Sequence, residues 1–257
     1  MTEPVAGRGP ATAAPIVRLW PGPDAAPLGD DALADAYAEP AGPHLRVNFV
    51  SSLDGAVEVG GYSAPLSGPA DKRVFGTLRM RGDALLVGAG TLRAEAYRAL
   101  RLDARRRAWR EARGRPPYPT LVVVSRALDL DPGQAAFADA PVRPLVLTCA
   151  AAPPDRQAAL AAVADVLHCG ERDVDLAAGL AALRGRGLGR VLCEGGPRLF
   201  GALTAADLVD ELCLSVAPLL AGPGAGRITA GPPAAPRGLR LRQVLAAGDL
   251  LLLRHGR

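Results

Sequence analysis

Five short apolar runs recur along the middle of the chain, and segments with a helical pattern lie between and after them. The runs are all five residues long and lie at 84–88, 121–125, 144–148, 165–169 and 190–194. A continuous run of this kind is typical of a strand that is covered on both faces of a parallel sheet. The helical segments lie at 156–163, 175–185 and 197–206. This pattern predicts an α/β fold in which helices flank both faces of a mostly parallel sheet.

The residues before the first of these runs predict one strand and two helices. Residues 45–52 are rich in β-formers and are followed by the turn dipeptide Asp54-Gly55. A helical pattern covers residues 68–83, and a shorter one covers residues 30–39, where Asp30 is placed to cap the helix. The N-terminal half therefore leads into the sheet through a strand, a tight turn and a helix.

The two ends of the chain differ from the middle. Residues 1–15 are small, contain proline and have no period, which predicts a disordered tail. Residues 16–43 form an N-terminal extension that includes the short helix. At the other end, three strand-like runs follow one another without helices between them, at 208–222, 239–248 and 249–256. They predict an antiparallel hairpin added at the edge of the sheet.

The composition favours a globular protein that binds small anionic molecules. The chain has 257 residues, 49% of them hydrophobic, which is enough to bury a substantial core. Its net charge is +4, but the arginines are scattered, and residues 105–119 read as a surface helix and loop instead of a nucleic-acid site. No apolar run approaches the ~18 residues of a membrane span, and no leader pattern opens the chain, which predicts a cytoplasmic protein.

The four cysteines give no sign of a metal site. Cys149, Cys169, Cys193 and Cys213 lie twenty residues or more apart, so the chain has no CxxC pair. Structural zinc is usually held by closely spaced pairs of ligands. We therefore expect buried, reduced thiols and no metal.

Candidate chemistry lies at the exits of three predicted strands. Gly88-Ala89-Gly90-Thr91 follows one run, Ser125-Arg126 a second and Glu194-Gly195-Gly196-Pro197 a third. In open α/β sheets ligands bind at these carboxyl ends, where glycine lets the backbone approach and a helix N-terminus favours an anion. These exits predict a diphosphate site, and Ser125-Arg126 could grip a phosphate monoester. Taken singly, each could be only a tight turn or a surface arginine. Neither the GxGxxG pattern of dinucleotide-binding proteins nor the GxxxxGK[ST] pattern of nucleotide triphosphate loops is present.

Three stretches carry a resemblance to a known family. VNFVSSLDGAV at 47–57, YSAPLSGPADKRVFGTLRMRGDALLVGAGT at 62–91 and VLCEGGPRLFGALTAADLVDELCLSVAPLLAG at 191–222 resemble, in this order and spacing, the reductase domain of the bifunctional riboflavin-biosynthesis deaminase/reductase. That domain belongs to the dihydrofolate-reductase-like superfamily. The resemblance implies such a fold over residues 44–257, NADPH as cofactor and a homodimer. The implied reaction is reduction of 5-amino-6-(5-phosphoribosylamino)uracil, which converts its ribosyl group to a ribityl group.

The resemblance also assigns roles to residues of this chain. On the cofactor side it implies that the diglycine Gly195-Gly196, with the following Pro197 and Arg198, binds the diphosphate, and that Gly88, Gly90 and Thr91 form a second cofactor-binding loop. Ser125 and Arg126 are the implied clamp for the 2′-phosphate, and Ser51 lies at the nicotinamide. On the substrate side it implies Ser63, Ser67, Arg79 and Arg101. Glu194 and Asp54 are the implied catalytic carboxylates beside the substrate and the nicotinamide.

Two positions depart from the family pattern. Where the family has Asp-Asp-Pro after the glycine loop, this chain has Glu95-Ala96-Tyr97, and Pro65 replaces a common aromatic residue. Either Glu95 takes over the role of the family's catalytic aspartate, or the pocket accepts a substrate with a different ring. A dihydrofolate- or pterin-type reductase and a non-catalytic NADPH-binding protein therefore stay open as alternatives. The HxE and PCxxC motifs of the deaminase half do not occur, which predicts a stand-alone reductase.

Overall fold

The computed structural model describes residues 14–24 and 26–257, so the predicted tail at 1–15 lies almost wholly outside the described residues. The described residues form ten strands: β1 Val17–Trp20, β2 His44–Ser51, β3 Ala84–Gly88, β4 Thr120–Val124, β5 Leu145–Thr148, β6 Asp165–His168, β7 Arg190–Cys193, β8 Glu211–Val216, β9 Arg240–Ala247 and β10 Leu250–Gly256. They also form eight α-helices: α1 Asp30–Ala36, α2 Pro69–Arg81, α3 Ala89–Ala94, α4 Ala104–Glu111, α5 Ala135–Ala138, α6 Pro154–Ala161, α7 Leu176–Gly185 and α8 Pro197–Ala205.

All ten strands belong to one sheet, in the order β1-β9-β10-β8-β2-β7-β3-β4-β5-β6. Strands β8, β2, β7, β3, β4, β5 and β6 are parallel, whereas β10 runs antiparallel to both β8 and β9, and β1 antiparallel to β9. The mostly parallel sheet with a C-terminal antiparallel hairpin is the predicted architecture. Because seven strands are parallel, their carboxyl ends lie along one edge of the sheet.

The core lies on both faces of this sheet. In β3, Leu85 and Val87 belong to one buried cluster, and Ala84 and Leu86 belong to the cluster on the opposite face. Side chains of consecutive strand residues point to opposite faces, so an uninterrupted apolar run is what a doubly covered strand requires. The strand predicted at 165–169 forms as β6, but it is not covered on both faces. That strand is at the edge of the sheet, and its terminal residues Asp165 and His168 are exposed.

Three features of the chain differ from the sequence prediction. Strand β1, which pairs with β9, was not predicted, because four residues carry too little pattern. Helix α1 has Gly29 at its N-cap, so Asp30 is its first residue and pairs instead with Arg73 at 2.7 Å. The Arg-rich helix α4 forms as predicted, but Arg110 is only 1% exposed and donates to the carbonyl of Met80 at 2.9 Å.

The four cysteines are buried and free, as expected.

A buried network of charges lies at the amino ends of the parallel strands, away from the strand exits. Arg46 of β2 donates to both Glu39, at 3.0 Å, and Glu211 of β8. Arg81 of α2 lies 2.9 Å from Glu39, and Arg254 of β10 donates to Glu211 at 2.8 Å. Two carboxylates are thus shared among three guanidinium groups.

The same guanidinium groups hold the N-terminal extension on the sheet. They donate to carbonyl oxygens at the end of helix α1: Ala34, Ala36 and Tyr37, at 3.0, 2.7 and 2.9 Å. Burial opposes ionisation of Glu211, but His44, Arg46 and Arg254 outweigh it and keep the pKa of that carboxyl well below its usual 4.5. The network therefore fixes α1 to β2, α2 and β10 with charges that stay ionised.

Removing the Glu211 carboxylate should destabilise the fold strongly. Glu211→Ala leaves Arg46 and Arg254 without their shared partner, and breaking a buried pair in this way costs about 3–5 kcal/mol of unfolding free energy. Urea denaturation at pH 7 measures the loss, with the exposed Glu111→Ala as control, where a change within about 0.5 kcal/mol is expected. Because the native pKa of Glu211 is lowered, its stabilisation is complete above the usual value of 4.5 and declines as the pH falls below it. Equal losses in the two variants would contradict this role.

Candidate active site

The predicted ligand-binding residues lie where neighbouring parallel strands end. Strands β2, β7, β3 and β4 are consecutive in the sheet, so their exits lie side by side. The exits of β7 and β3 are joined directly: Glu194 N–H donates to Leu86 O at 3.0 Å, and Gly88 N–H donates to Gly195 O at 2.8 Å. The two glycine loops that the sequence singled out are therefore one structural unit.

The packing of these exits explains the diglycine. Gly195 has φ +88°, a conformation that favours glycine, and a Cβ there would lie 2.7 Å from the ring of Phe49. A Cβ on Gly196 would meet the hydroxyl of Thr91. The peptide between the two glycines is cis. Bare backbone is thus required for the end of β7 and the start of α8 to pack against β2 and β3.

A cavity of about 620 Å³ opens over these strand ends. Nine of the residues that the sequence proposed for the site line it: Ser63, Ser67, Arg79, Gly90, Thr91, Glu95, Glu194, Gly196 and Pro197. They come from the segments that follow β2, β3 and β7 and from helix α2. Distant stretches of the chain therefore form one concave surface at the point where α/β sheets bind ligands.

At one side of the cavity, Glu194 is held by two neighbours. Arg79 of α2 donates from Nε to Oε1 and from Nη2 to Oε2, both at 2.6 Å, and the Tyr97 hydroxyl donates to Oε2 at 2.7 Å. The Arg79 guanidinium also lies over the ring of Phe75, 4.2 Å from its centroid. The side chain of Glu194 is only 2% exposed, so the bidentate arginine supplies the opposite charge that a buried carboxylate needs.

Tyr97 reaches this cluster because helix α3 ends abruptly. Ala96 has φ +46°, and Tyr97 N–H donates back to Leu92 O at 3.2 Å, which turns the chain toward the cavity. Burial, together with the Glu194 carboxylate, raises the pKa of the Tyr97 hydroxyl well above its usual 10. The hydroxyl therefore stays protonated as a hydrogen-bond donor throughout the physiological range.

Two further carboxylates of the cavity accept from serine hydroxyls. Glu95 Oε1 accepts from the Ser63 hydroxyl at 2.9 Å and from its N–H at 3.3 Å. The buried Asp71 accepts from the hydroxyls of Ser67 and Ser215, one on each carboxylate oxygen. Ser63 and Ser67 are thus at the cavity as predicted, but each is engaged with an acid of the protein.

Several predicted site residues are not among those that line the cavity. Ser51 and Ser125 are buried, Arg198 is exposed, and the exposed Arg101 donates to Asp139 O at 2.9 Å. Arg126 is exposed and forms an ion pair with Asp173 at 3.1 Å. Gly88 and Gly195 hold the strand exits together beneath the cavity.

Asp54, predicted as a catalytic residue at the nicotinamide, is not among the residues that line the cavity. Its oxygens accept from the backbone N–H groups of Ala221, at 3.1 Å, and Gly222, at 2.8 Å. Because Asp54 lies on the loop after β2, it joins that loop to the segment after β8 instead of lining the cavity.

Other residues of the cavity were not identified from the sequence. Phe75 and Lys72 lie on α2 four and seven residues before Arg79, so helical spacing could have placed both on its face. Tyr97 gave no such signal, because its approach to Glu194 depends on the turn at Ala96.

The fold and the site together define an α/β protein with a cavity over the strand exits of a mostly parallel sheet, into which charged side chains are built. Residues 43–253 match the family described as the RibD C-terminal domain, and the chain belongs to that family. The family and fold class predicted from the sequence are therefore confirmed.

Known proteins that this chain resembles are reductases or are described as similar to them. The 2,5-diamino-6-ribosylamino-4(3H)-pyrimidinone 5′-phosphate reductase of Archaeoglobus fulgidus is 33% identical over 181 residues, which cover 70% of this chain and 82% of the relative. The enzyme of the same name from Methanothermobacter thermautotrophicus is 33% identical over 183 residues, covering 70% and 80%. A pyrimidine reductase-like protein from Corynebacterium diphtheriae has a similar structure, with a TM-score of 0.77, 26% identity, and coverage of 83% of this chain and 91% of that one. The prediction of an oxidoreductase is thus confirmed.

A double-mutant cycle should show strong coupling between Arg79 and Glu194. We expect the unfolding free energies of Arg79→Gln, Glu194→Gln and the double variant to give a coupling of about 1–3 kcal/mol, because the pair is bidentate and largely buried. The same cycle on the exposed pair Arg126 and Asp173 should give less than about 1 kcal/mol. Coupling energies that do not differ between the two pairs would contradict the buried ion pair.

Proposed function

We propose that this chain is an NADPH-dependent reductase of a ribosylaminopyrimidine 5′-phosphate in riboflavin biosynthesis, which converts the ribosyl group to a ribityl group. The observation that carries the proposal is the 33% identity to two enzymes named as reductases of such a substrate. The cavity of about 620 Å³ supports it, because its size is typical of small-molecule sites.

The names of the relatives favour a ring that still carries its 2-amino group. That group donates hydrogen bonds, whereas the 2-oxo group of the deaminated uracil ring accepts them. The carboxylate of Glu58 in the cavity lining is an acceptor suited to an amino group. We therefore propose the 2,5-diaminopyrimidinone as the first candidate and the uracil implied by the sequence resemblance, 5-amino-6-(5-phosphoribosylamino)uracil, as the second.

The cationic part of the cavity suits the substrate phosphate. Arg79 gives two of its N–H groups to Glu194, while Lys72 and Arg98 add positive charge to the same lining. A phosphate dianion needs such charge-assisted donors. The proposed phosphate site therefore keeps Arg79 from the sequence prediction and takes Lys72 and Arg98 in place of Arg101, which is not among the lining residues.

The strand exits supply a place for the cofactor. Gly90, Thr91, Gly196 and Pro197 line the cavity, and open space lies beyond Gly90, where a Cβ would meet nothing within 4 Å. The first turn of α8 brings unpaired N–H groups and a positive dipole end to the same place. These residues fit the diphosphate of NADPH, which when bound supplies a hydride to the substrate.

The protein must position the substrate and deliver a proton. Hydride addition to an open-chain imine carbon leaves negative charge on its nitrogen, so a donor in the cavity assists the reaction. Glu95 and Tyr97 are the candidates, since both line the cavity and Tyr97 stays protonated. Glu194 uses three of its roughly four acceptor positions on Arg79 and Tyr97, which leaves one for the substrate.

Loss of NADPH absorbance with defined substrates tests the proposal. We expect turnover with the 2,5-diaminopyrimidinone 5′-phosphate, slower turnover with its deaminated counterpart, and none with dihydrofolate. The dephosphorylated substrate is the matched control, and it should have a KM raised by about tenfold or more, because it cannot use the basic side chains. Oxidation of NADPH by dihydrofolate alone would favour a pterin-type enzyme, and no oxidation with any substrate would favour a non-catalytic NADPH-binding protein.

Cofactor preference should depend on the ion pair between Arg126 and Asp173. If Arg126 binds the 2′-phosphate, Arg126→Ala should raise the KM for NADPH by about tenfold, the effect of losing roughly 1.4 kcal/mol. Asp173→Asn should lower that KM, because the nearby negative charge is removed. Neither variant should change the KM for NADH, and the exposed Arg143→Ala serves as control. Equal changes for NADPH and NADH would contradict the predicted clamp.

The proposal includes the organisation predicted from the sequence. The domain boundary at residue 44, a homodimeric assembly and a cytoplasmic location belong to it as expectations. Among the helices of the described ranges, none has both the length and the apolar character needed to cross a bilayer.

A further inference from the structure

The carboxylate of Asp54 joins two segments that leave neighbouring strands. We call residues 52–63 the β2-exit loop and residues 217–226 the β8-exit segment. Asp54 accepts from the N–H of Ala221 on one oxygen and from the N–H of Gly222 on the other, and the Ser52 hydroxyl also donates to it. One surface carboxylate thus accepts three hydrogen bonds, two of them from the other segment.

Further backbone bonds join the two segments on either side of Asp54. Leu53 N–H donates to Leu219 O at 2.9 Å, and Val57 N–H donates to Gly226 O at 3.2 Å. Hydrogen bonds from the Ser52 hydroxyl and from the two amides lower the pKa of Asp54 to about 2. The carboxylate is therefore ionised, and able to accept from both amides, at every pH at which the protein would be assayed.

The far end of the β2-exit loop is fixed by a second carboxylate. Ser63 donates from its hydroxyl and its N–H to Glu95, at 2.9 and 3.3 Å. Between the two attachments, Val59 and Tyr62 pair with each other around Gly60-Gly61, whose φ angles are +62° and +86°. This is a tight turn of the type that positive φ at both central residues permits. The loop is therefore a short hairpin held at both ends.

This held loop forms one wall of the cavity. Val57, Glu58, Gly61 and Ser63 all line it, and the N–H of Val57 donates to Gly226 of the β8-exit segment. We propose that Asp54 is a positioning residue, which fixes the β2-exit loop against the β8-exit segment so that Val57 and Glu58 are held in place to contact the substrate. The effect on substrate kinetics rests on the proposed function, whereas the attachment of the β2-exit loop to the β8-exit segment by Asp54 does not.

Amide hydrogen exchange on the full chain, without ligand, tests directly whether Asp54 holds the two segments together. Asp54→Asn keeps one acceptor oxygen and loses the other, and Asp54→Ala loses both, so exchange in residues 52–63 and 217–226 should rise by about tenfold in the alanine variant and less in the asparagine variant. Helix α2, Pro69–Arg81, should be unchanged in both. Asp249→Asn, on the exposed turn between β9 and β10, removes the same charge without touching either segment and serves as control. Unchanged exchange in the two segments overturns the proposal.

Steady-state kinetics then separate positioning from acid–base catalysis. A displaced cavity wall should raise the KM for the pyrimidine phosphate by about fivefold or more in Asp54→Ala, with a smaller change in kcat and an unshifted pH profile. A large fall in kcat with unchanged KM and unchanged exchange would identify a direct part in catalysis and overturn the proposal. If the wild-type protein reduces no ribosylaminopyrimidine, the proposed function fails, and the exchange experiment still decides whether Asp54 holds the loop.

Discussion

The close approach of two parallel strand exits is the constraint on which the rest of the site depends. Strands β3 and β7 are neighbours, and the bond from Gly88 N–H to Gly195 O continues their pairing beyond the last strand residue. That approach leaves no room for a side chain at Gly195, because the Phe49 ring is already there. It also fixes the start of α8 beside α3. Two glycines, Gly90 and Gly196, therefore line the cavity at these exits, and glycine lets the backbone approach a ligand closely.

Buried charge is used for different purposes at the two ends of the sheet. At the amino ends, Glu39 and Glu211 are shared among arginines that also bind carbonyls of α1, so the charges fasten the N-terminal extension. At the strand exits, Glu194 pairs with Arg79 and lines the open cavity. Burial of a carboxylate is unfavourable unless it is paired, so each end needs its arginines. Of these two groups of charges, the pair at the exits is the one that lines the large cavity.

The sequence identified nine of the residues that line the cavity, but it did not show which contacts other candidate side chains make. The motif around Glu194 and the glycines could be recognised because neighbouring residues in the chain remain neighbours in the site. Asp54 and Arg126 also follow strands, yet their partners, Gly222 and Asp173, lie far away in the sequence. No local pattern shows that a carboxylate will accept from an amide on another strand's exit. The hydrogen bonds of Asp54 to Ala221 and Gly222 could therefore be read only from the structure.

By itself, the sequence determined the α/β class, the mostly parallel sheet and the glycine loops, because apolar period and turn chemistry act over a few residues. The resemblance of three stretches added the family. The sequence left open which side chains meet. The pairing of Tyr97 with Glu194 depends on the left-handed turn at Ala96, and strand β1 depends on the unpaired edge of β9. Such contacts join residues that are far apart in the chain, and their geometry is set only when the sheet and its helices pack together.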